Sequence, residues 1–120
     1  MQGTEKQMQW AEDLVRKFNQ ELDNIIAMIP EREKQDAVAE LKVECNVLFE
    51  NAYAGDIIDS MKYLDHLHGI DYYERVTAAF RLSGTKLGHQ ITDEICQWTK
   101  LQKQRFGDSA TTSTEKGETK

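Results

Sequence analysis

Apolar side chains recur along the first part of the chain at Met8, Ala11, Val15, Phe18, Leu22, Ile25 and Ile29, in alternating steps of three and four residues. A helical turn is 3.6 residues, so this spacing gathers them on one side and predicts a long amphipathic α-helix. Thr4 and Gln7 have the spacing of a capping box, in which each side chain satisfies an amide of the first turn, and the helix is expected to begin near Glu5. Leu14 and Ile26 widen the stripe beyond a two-stranded seam and favour burial in a bundle. Pro30 ends the segment, since proline has no amide proton and disfavours helical geometry at Ile29.

The same periodicity returns beyond Pro30. A second helix is expected to carry Val38, Leu41, Cys45, Leu48 and Ala52 inward, with Pro30 in its first turn and Glu31, Glu33 and Asp36 near the positive end of its dipole. Two such helices joined by a tight turn form an αα-hairpin. Gly55 reads as a left-handed stop and Asp56 as the cap of a third helix bearing Ile57, Met61 and Leu64, which Gly69 would end. Asp71 and Glu74 repeat the capping box ahead of a fourth helix over 72–82, burying Val76, Phe80 and Tyr73. Ser83 and Gly84 interrupt the pattern, although one helical glycine costs only about 1 kcal/mol and a kinked continuous helix stays open. Leu87, Ile91, Ile95 and Trp98 mark the last helix. The fold expected is all-α, a single domain over 1–106 built as a bundle of four or five helices, followed by a polar, disordered C-terminal tail over 107–120.

Composition narrows the functional classes. With 120 residues, 39% hydrophobic and 30% charged, the chain suits one core under a heavily solvated surface. No apolar run reaches the roughly 18 residues that span a bilayer, and the opening MQGTEKQMQW lacks the regions of a secretory signal, so a cytoplasmic location without membrane contact is expected. Cys45 and Cys96 form no CxxC pair and indicate neither a zinc site nor a disulfide framework; Cys45 is expected in the core. The net charge is −6, unevenly spread. Residues 1–29 hold five acids against three bases, 30–54 six against three and 55–84 five against three, whereas 85–106 hold two against four. The body is acidic and the last helix basic.

Few clusters suggest chemistry. Asp65, His66, His68 and Asp71 combine imidazole with carboxylate, but two histidines two apart on a helix face nearly opposite ways, and a cationic histidine before Gly69 answers the negative end of a helix dipole. His89, Asp93 and Cys96 share one face of the last helix with no fourth ligand placed, which favours a solvated surface over zinc. A catalytic Cys–His pair lacks an orienting third group. Lys86, Lys100, Lys103 and Arg105, with Trp98 and Phe106 nearby, are too little charge for phosphate-backbone recognition, so direct nucleic-acid binding is not favoured; it stays as an accessory alternative through this helix.

Glu40 and Glu44 lie one turn apart, as do Asp56 and Asp59, and four carboxylates facing across an antiparallel pair can hold Mg²⁺ against a triphosphate. Here DIIDSMKYLDHLHGID resembles the second acidic helix of the MazG-type all-α NTP pyrophosphatases, which implies magnesium-assisted attack of water on the triphosphate; the spacing of Glu40 and Glu44 is one longer than that family's usual first motif. Over Gly3, Thr4, Glu5, Lys6, Gln7, Trp10 and Ala11 the chain is similar to the opening of small proteins of bacteria, phages and mobile elements. That motif carries no chemistry of its own beyond a helix cap and an aromatic. The acidic helical body, by contrast, can compete for a basic groove on a nucleic-acid-binding protein, and by analogy of type with anti-CRISPR proteins the expectation is a non-enzymatic, cofactor-free binder of a protein partner, an inhibitor of a host nucleic-acid-binding or defence protein. Glu5, Trp10, Glu12, Asp13, Glu40, Glu44, Asp56 and Asp59 are the residues expected to meet that partner, and a homodimer is compatible with the stripes.

Overall fold

A computed structural model describes residues 1–107; the expected tail from 108 onward lies outside the described residues. Five helices follow one another: α1 (Glu5–Met28), α2 (Arg32–Glu50), α3 (Ala54–Met61), α4 (Gly69–Leu82) and α5 (Lys86–Phe106). The all-α bundle is as expected. α1 and α5 each pack mainly on α2, α3 and α4, so the three shorter helices are held between the two longest.

α1 starts where its capping box places it: Gln7 N donates to Thr4 Oγ1 and Thr4 N donates to Gln7 Oε1. Its innermost line is Ala11, Leu14, Phe18 and Leu22, with Met8, Val15 and Ile25 packed at the shoulders. α2 begins one residue after Glu31, so Pro30 stands before the helix rather than in its first turn. The Gln35 amide closes this hairpin by donating to the carbonyls of Ile26 (3.2 Å) and Ile29 (2.9 Å).

The buried line of α2 is Ala37, Leu41, Cys45 and Phe49, rotated from the expected one, with Val38 and Leu48 at its edge. The reason is aromatic. Phe49 meets Phe18 edge-on at 5.1 Å between ring centroids and Phe80 at 6.0 Å, fastening α1, α2 and α4 at one point. Cys45 is buried, and burial first, then the charges of Glu94 and Glu44, push its thiol up to about 12, which makes it an unreactive core residue.

Gly55 does not stop α2, and Asp56 does not cap α3. α2 ends at Glu50, and Gly55 and Asp56 lie in the first turn of α3 behind Tyr53. The cap comes from the chain start: Gln2 N donates to Ala52 O at 3.0 Å and Ala54 N donates to Gln2 O at 2.7 Å, while the Met1 ammonium meets the Glu50 carbonyl. Backbone from residue 2 therefore satisfies an amide that a side-chain cap would otherwise serve. With no heavy atom within 4 Å of a Cβ there and a helical backbone, Gly55→Ala is expected to raise stability by about 0.5–1 kcal/mol, read as an increase in the urea midpoint at unchanged slope.

α3 stops at Met61, well before Gly69, and tight turns through 62–68 lead to α4. Gly69, at φ +60°, opens α4 instead of closing α3, and the Asp71/Glu74 box is not made. α4 buries Tyr72, Val76 and Phe80, with Tyr73 only partly covered. Ser83 and Gly84 (φ +71°) separate α4 from α5, whose cap is Thr85, accepting from Gly88 N at 2.9 Å. No helix among the described residues is long and apolar enough to cross a membrane.

Candidate functional site

The expected site residues do not converge on one place. Glu5, Trp10, Glu12 and Asp13 all lie on the solvent side of α1, with Trp10 49% exposed and Asp13 paired to Arg16 at 2.6 Å. Glu40 and Glu44 line a groove between α2 and α5 together with Glu94, Gln97, Trp98 and Leu101. Asp56 lies beside Lys86 and Gln90 near the chain start, and Asp59 projects from α3 into solvent. The four carboxylates proposed to face one another are therefore apart. The antiparallel α2–α3 pair that would have gathered them does not form, because the eight-residue α3 packs on α1, α4 and α5. Among the described residues no group of three or more His, Cys, Asp or Glu side chains has metal-holding geometry.

The basic cluster is also dispersed. Lys86 begins α5 while Lys100, Lys103 and Arg105 end it, about 20–30 Å away along the helix. Arg105 is committed to Glu40 at 3.2 Å, Trp98 donates its indole N–H to Ala37 O at 2.7 Å, and Lys34 stands over the Phe106 ring. His89, Asp93 and Cys96 are exposed on α5, as their spacing requires.

What the fold does assemble is the outer ridge of α2. Glu33, Asp36, Glu40, Val43, Glu44, Val47 and Glu50 are all exposed on one arc of the helix, with Val43 at 60% and Val47 at 51%. Arg32 and Arg105 pair with Asp36 and Glu40, leaving Glu33, Glu44 and Glu50 without an ion pair among the described residues. Grooves flank the ridge on both sides. Toward α1 the groove holds about 580 Å³, lined by Asn19, Lys42, Val43, Asn46, Val47, Glu50 and Asn51. Its floor is set by a reciprocal amide pair, Asn19 Nδ2 to Asn46 Oδ1 at 3.0 Å and Asn46 Nδ2 to Asn19 Oδ1 at 2.7 Å, and the Lys42–Asp23 ion pair (2.7 Å) neutralises one end. Glu12 and Glu50 share the adjoining hollow, so one of the expected α1 carboxylates belongs to this surface.

One group the sequence reading passed over is Glu21. Its side chain is 3% exposed, with Oε1 accepting Gly69 N at 2.7 Å and Oε2 placed 3.0 Å from both Lys17 Nζ and His68 Nδ1. Burial pushes this carboxyl up, but the Gly69 amide and the Lys17 and His68 hydrogen bonds, with the Lys17 charge, outweigh it and lower its pKa from 4.5 to about 2. Glu21 is thus a tertiary cap that α1 supplies to α4, at the end of the dipole that favours an anion. His68 precedes α4 in a loop and answers Glu21, not the carboxyl end of a helix. The missed signal is positional, since residue 21 is three after Phe18 and seven after Leu14, on the buried face.

The ridge is an exposed surface that is anionic and partly apolar. Comparison with family models, curated proteins and solved structures finds no match to this chain, so the site is defined by its own geometry.

Proposed function

We propose that this protein acts without catalysis, binding a protein partner through the outer ridge of α2. The observation that carries the reading is the combination of Val43 and Val47, both more than half exposed, with Glu33, Glu44 and Glu50, none of whose carboxylates is in an ion pair among the described residues. Apolar contacts supply affinity at the centre of such a patch, and unpaired carboxylates steer and select a basic surface. A basic groove of a host nucleic-acid-binding or defence protein, blocked by a phage or mobile-element inhibitor, is the sharpest form of this reading. The separation of Glu40 and Glu44 from Asp56 and Asp59 favours it over triphosphate hydrolysis.

The test pairs recovery of the partner from the source cell with ridge variants. Val43→Asp/Val47→Asp is expected to abolish recovery, and Glu44→Lys/Glu50→Lys to weaken it at least tenfold, with unfolding midpoints unchanged because these side chains are exposed. Equal recovery by all variants would sink the reading. Mg²⁺-dependent release of pyrophosphate, lost in Glu44→Ala or Asp59→Ala, would replace it with the enzyme.

A further inference from the structure

A second surface, separate from the α2 ridge, lies where the α1–α2 hairpin meets the end of α5. Met28, Pro30, Val38, Trp98 and Phe106 line a cleft of about 400 Å³, at the lower end of the roughly 300–1,000 Å³ typical of ligand pockets. Its polar side chains are paired with one exception. The Ile29 carbonyl accepts from Gln35, the Trp98 indole donates to Ala37 O, and Lys34 pairs with Glu31 at 3.7 Å. Gln102 also lines the cleft, yet both its Nε2 and Oε1 are closed to solvent and have no hydrogen-bond partner among the described residues. A carboxamide left unpaired at both ends is costly in an apolar surround, and the chain places it in the lining of a cleft shared with Met28, itself 75% exposed.

We propose that this cleft takes an extended apolar peptide segment of a partner chain, one large side chain filling the space between Trp98 and Phe106 while Gln102 turns to that residue's backbone. In an extended strand the N–H and C=O of one residue point to the same side, which is the donor and acceptor pair that a glutamine amide complements with two parallel hydrogen bonds. Residues 108–120 do not supply such an occupant, because they contain no apolar side chain larger than alanine. The proposal does not rest on the α2 ridge.

The experiment uses the full chain carrying Trp10→Phe, which leaves Trp98 as its indole reporter, titrated with acetyl-Ala-Leu-Ala-amide. A saturable change in Trp98 emission is expected. Replacing the leucine N–H by an ester oxygen should weaken binding about fivefold to tenfold, the worth of about one hydrogen bond, and Gln102→Met, which removes both hydrogen bonds, about 25-fold to 100-fold. Gln102→Met removes an unpaired amide and should fold at least as stably, so loss of binding would not reflect unfolding. The proposal fails if no saturable change occurs up to the solubility of the peptide, or if peptide, ester and variant bind alike. It fails equally if sedimentation reveals a dimer that Met28→Asp dissociates, since a second copy would then cover the cleft.

Discussion

Replacing Glu21 by alanine is expected to destabilise the protein by about 3–5 kcal/mol, the range for removing one partner of a buried ion pair. The substitution strips the Gly69 amide of its acceptor and leaves Lys17, itself only 16% exposed, without a counter-charge. It also uncaps α4 and removes the contact that fixes His68. Glu21→Gln keeps an acceptor for Gly69 but not the charge and should lose less. The pH dependence separates the two contributions. A carboxylate lowered to about 2 in the folded state and near 4.5 unfolded stabilises fully above pH 4.5, and its contribution fades as pH falls toward 2, below which both states are protonated. At 1.36 kcal/mol per unit the span is about 3 kcal/mol, with no large allowance for screening because the side chain is buried. Urea unfolding between pH 6 and 2 should show this loss in the wild type and little of it in Glu21→Gln; parallel curves would refute the tie.

Gly88→Ala should destabilise by about 2–3 kcal/mol and lower the melting temperature by roughly 10 °C. The substitution runs against propensity, which alone favours alanine in a helix by about 1 kcal/mol. A Cβ at Gly88 meets Ser83 Oγ and the carbonyl oxygen of Phe80, both inside contact distance, and Thr85 Oγ1 at 3.1 Å. The serine hydroxyl can rotate, but the Phe80 carbonyl is backbone and accepts from Ser83 N and Ser83 Oγ to finish α4. The added methyl therefore presses on the end of one helix and the start of the next. Gly55→Ala, where space is open, is the matched comparison. An unchanged melting temperature for Gly88→Ala would show that α4 and α5 separate at little cost.

The elements legible in the sequence are those held by near neighbours. Thr4 and Gln7 cap α1 with groups three residues apart. Thr85 caps α5 by accepting from Gly88 N over the same interval, a local signal that the apolar spacing of Leu87, Ile91, Ile95 and Trp98 does not carry, and the need for glycine at 88 comes from α4 folded against it. The errors fall where a distant segment serves a local need. Asp71 and Glu74 form a plausible box, but the amide at the start of α4 is satisfied by Glu21, 48 residues away. Gly55 and Asp56 look like a stop and a cap, but Gln2 supplies the partner that the turn requires. The site shows the same division. Glu40 and Glu44 were readable as a surface pair, whereas their grouping with Val43, Val47 and Glu50, and their distance from Asp56 and Asp59, depend on which helix packs on which.

By itself the sequence determined that four or five amphipathic segments would fold as helices around one core, because helical periodicity and near-range caps are properties of residues within a turn or two of each other; the break at Gly84 that makes them five came with the tertiary structure. Only the tertiary structure decided which face of α2 looks outward, which carboxylate is buried and what caps α4. Those outcomes follow from burying Phe18, Phe49 and Phe80 together, a contact among three helices that no local spacing encodes.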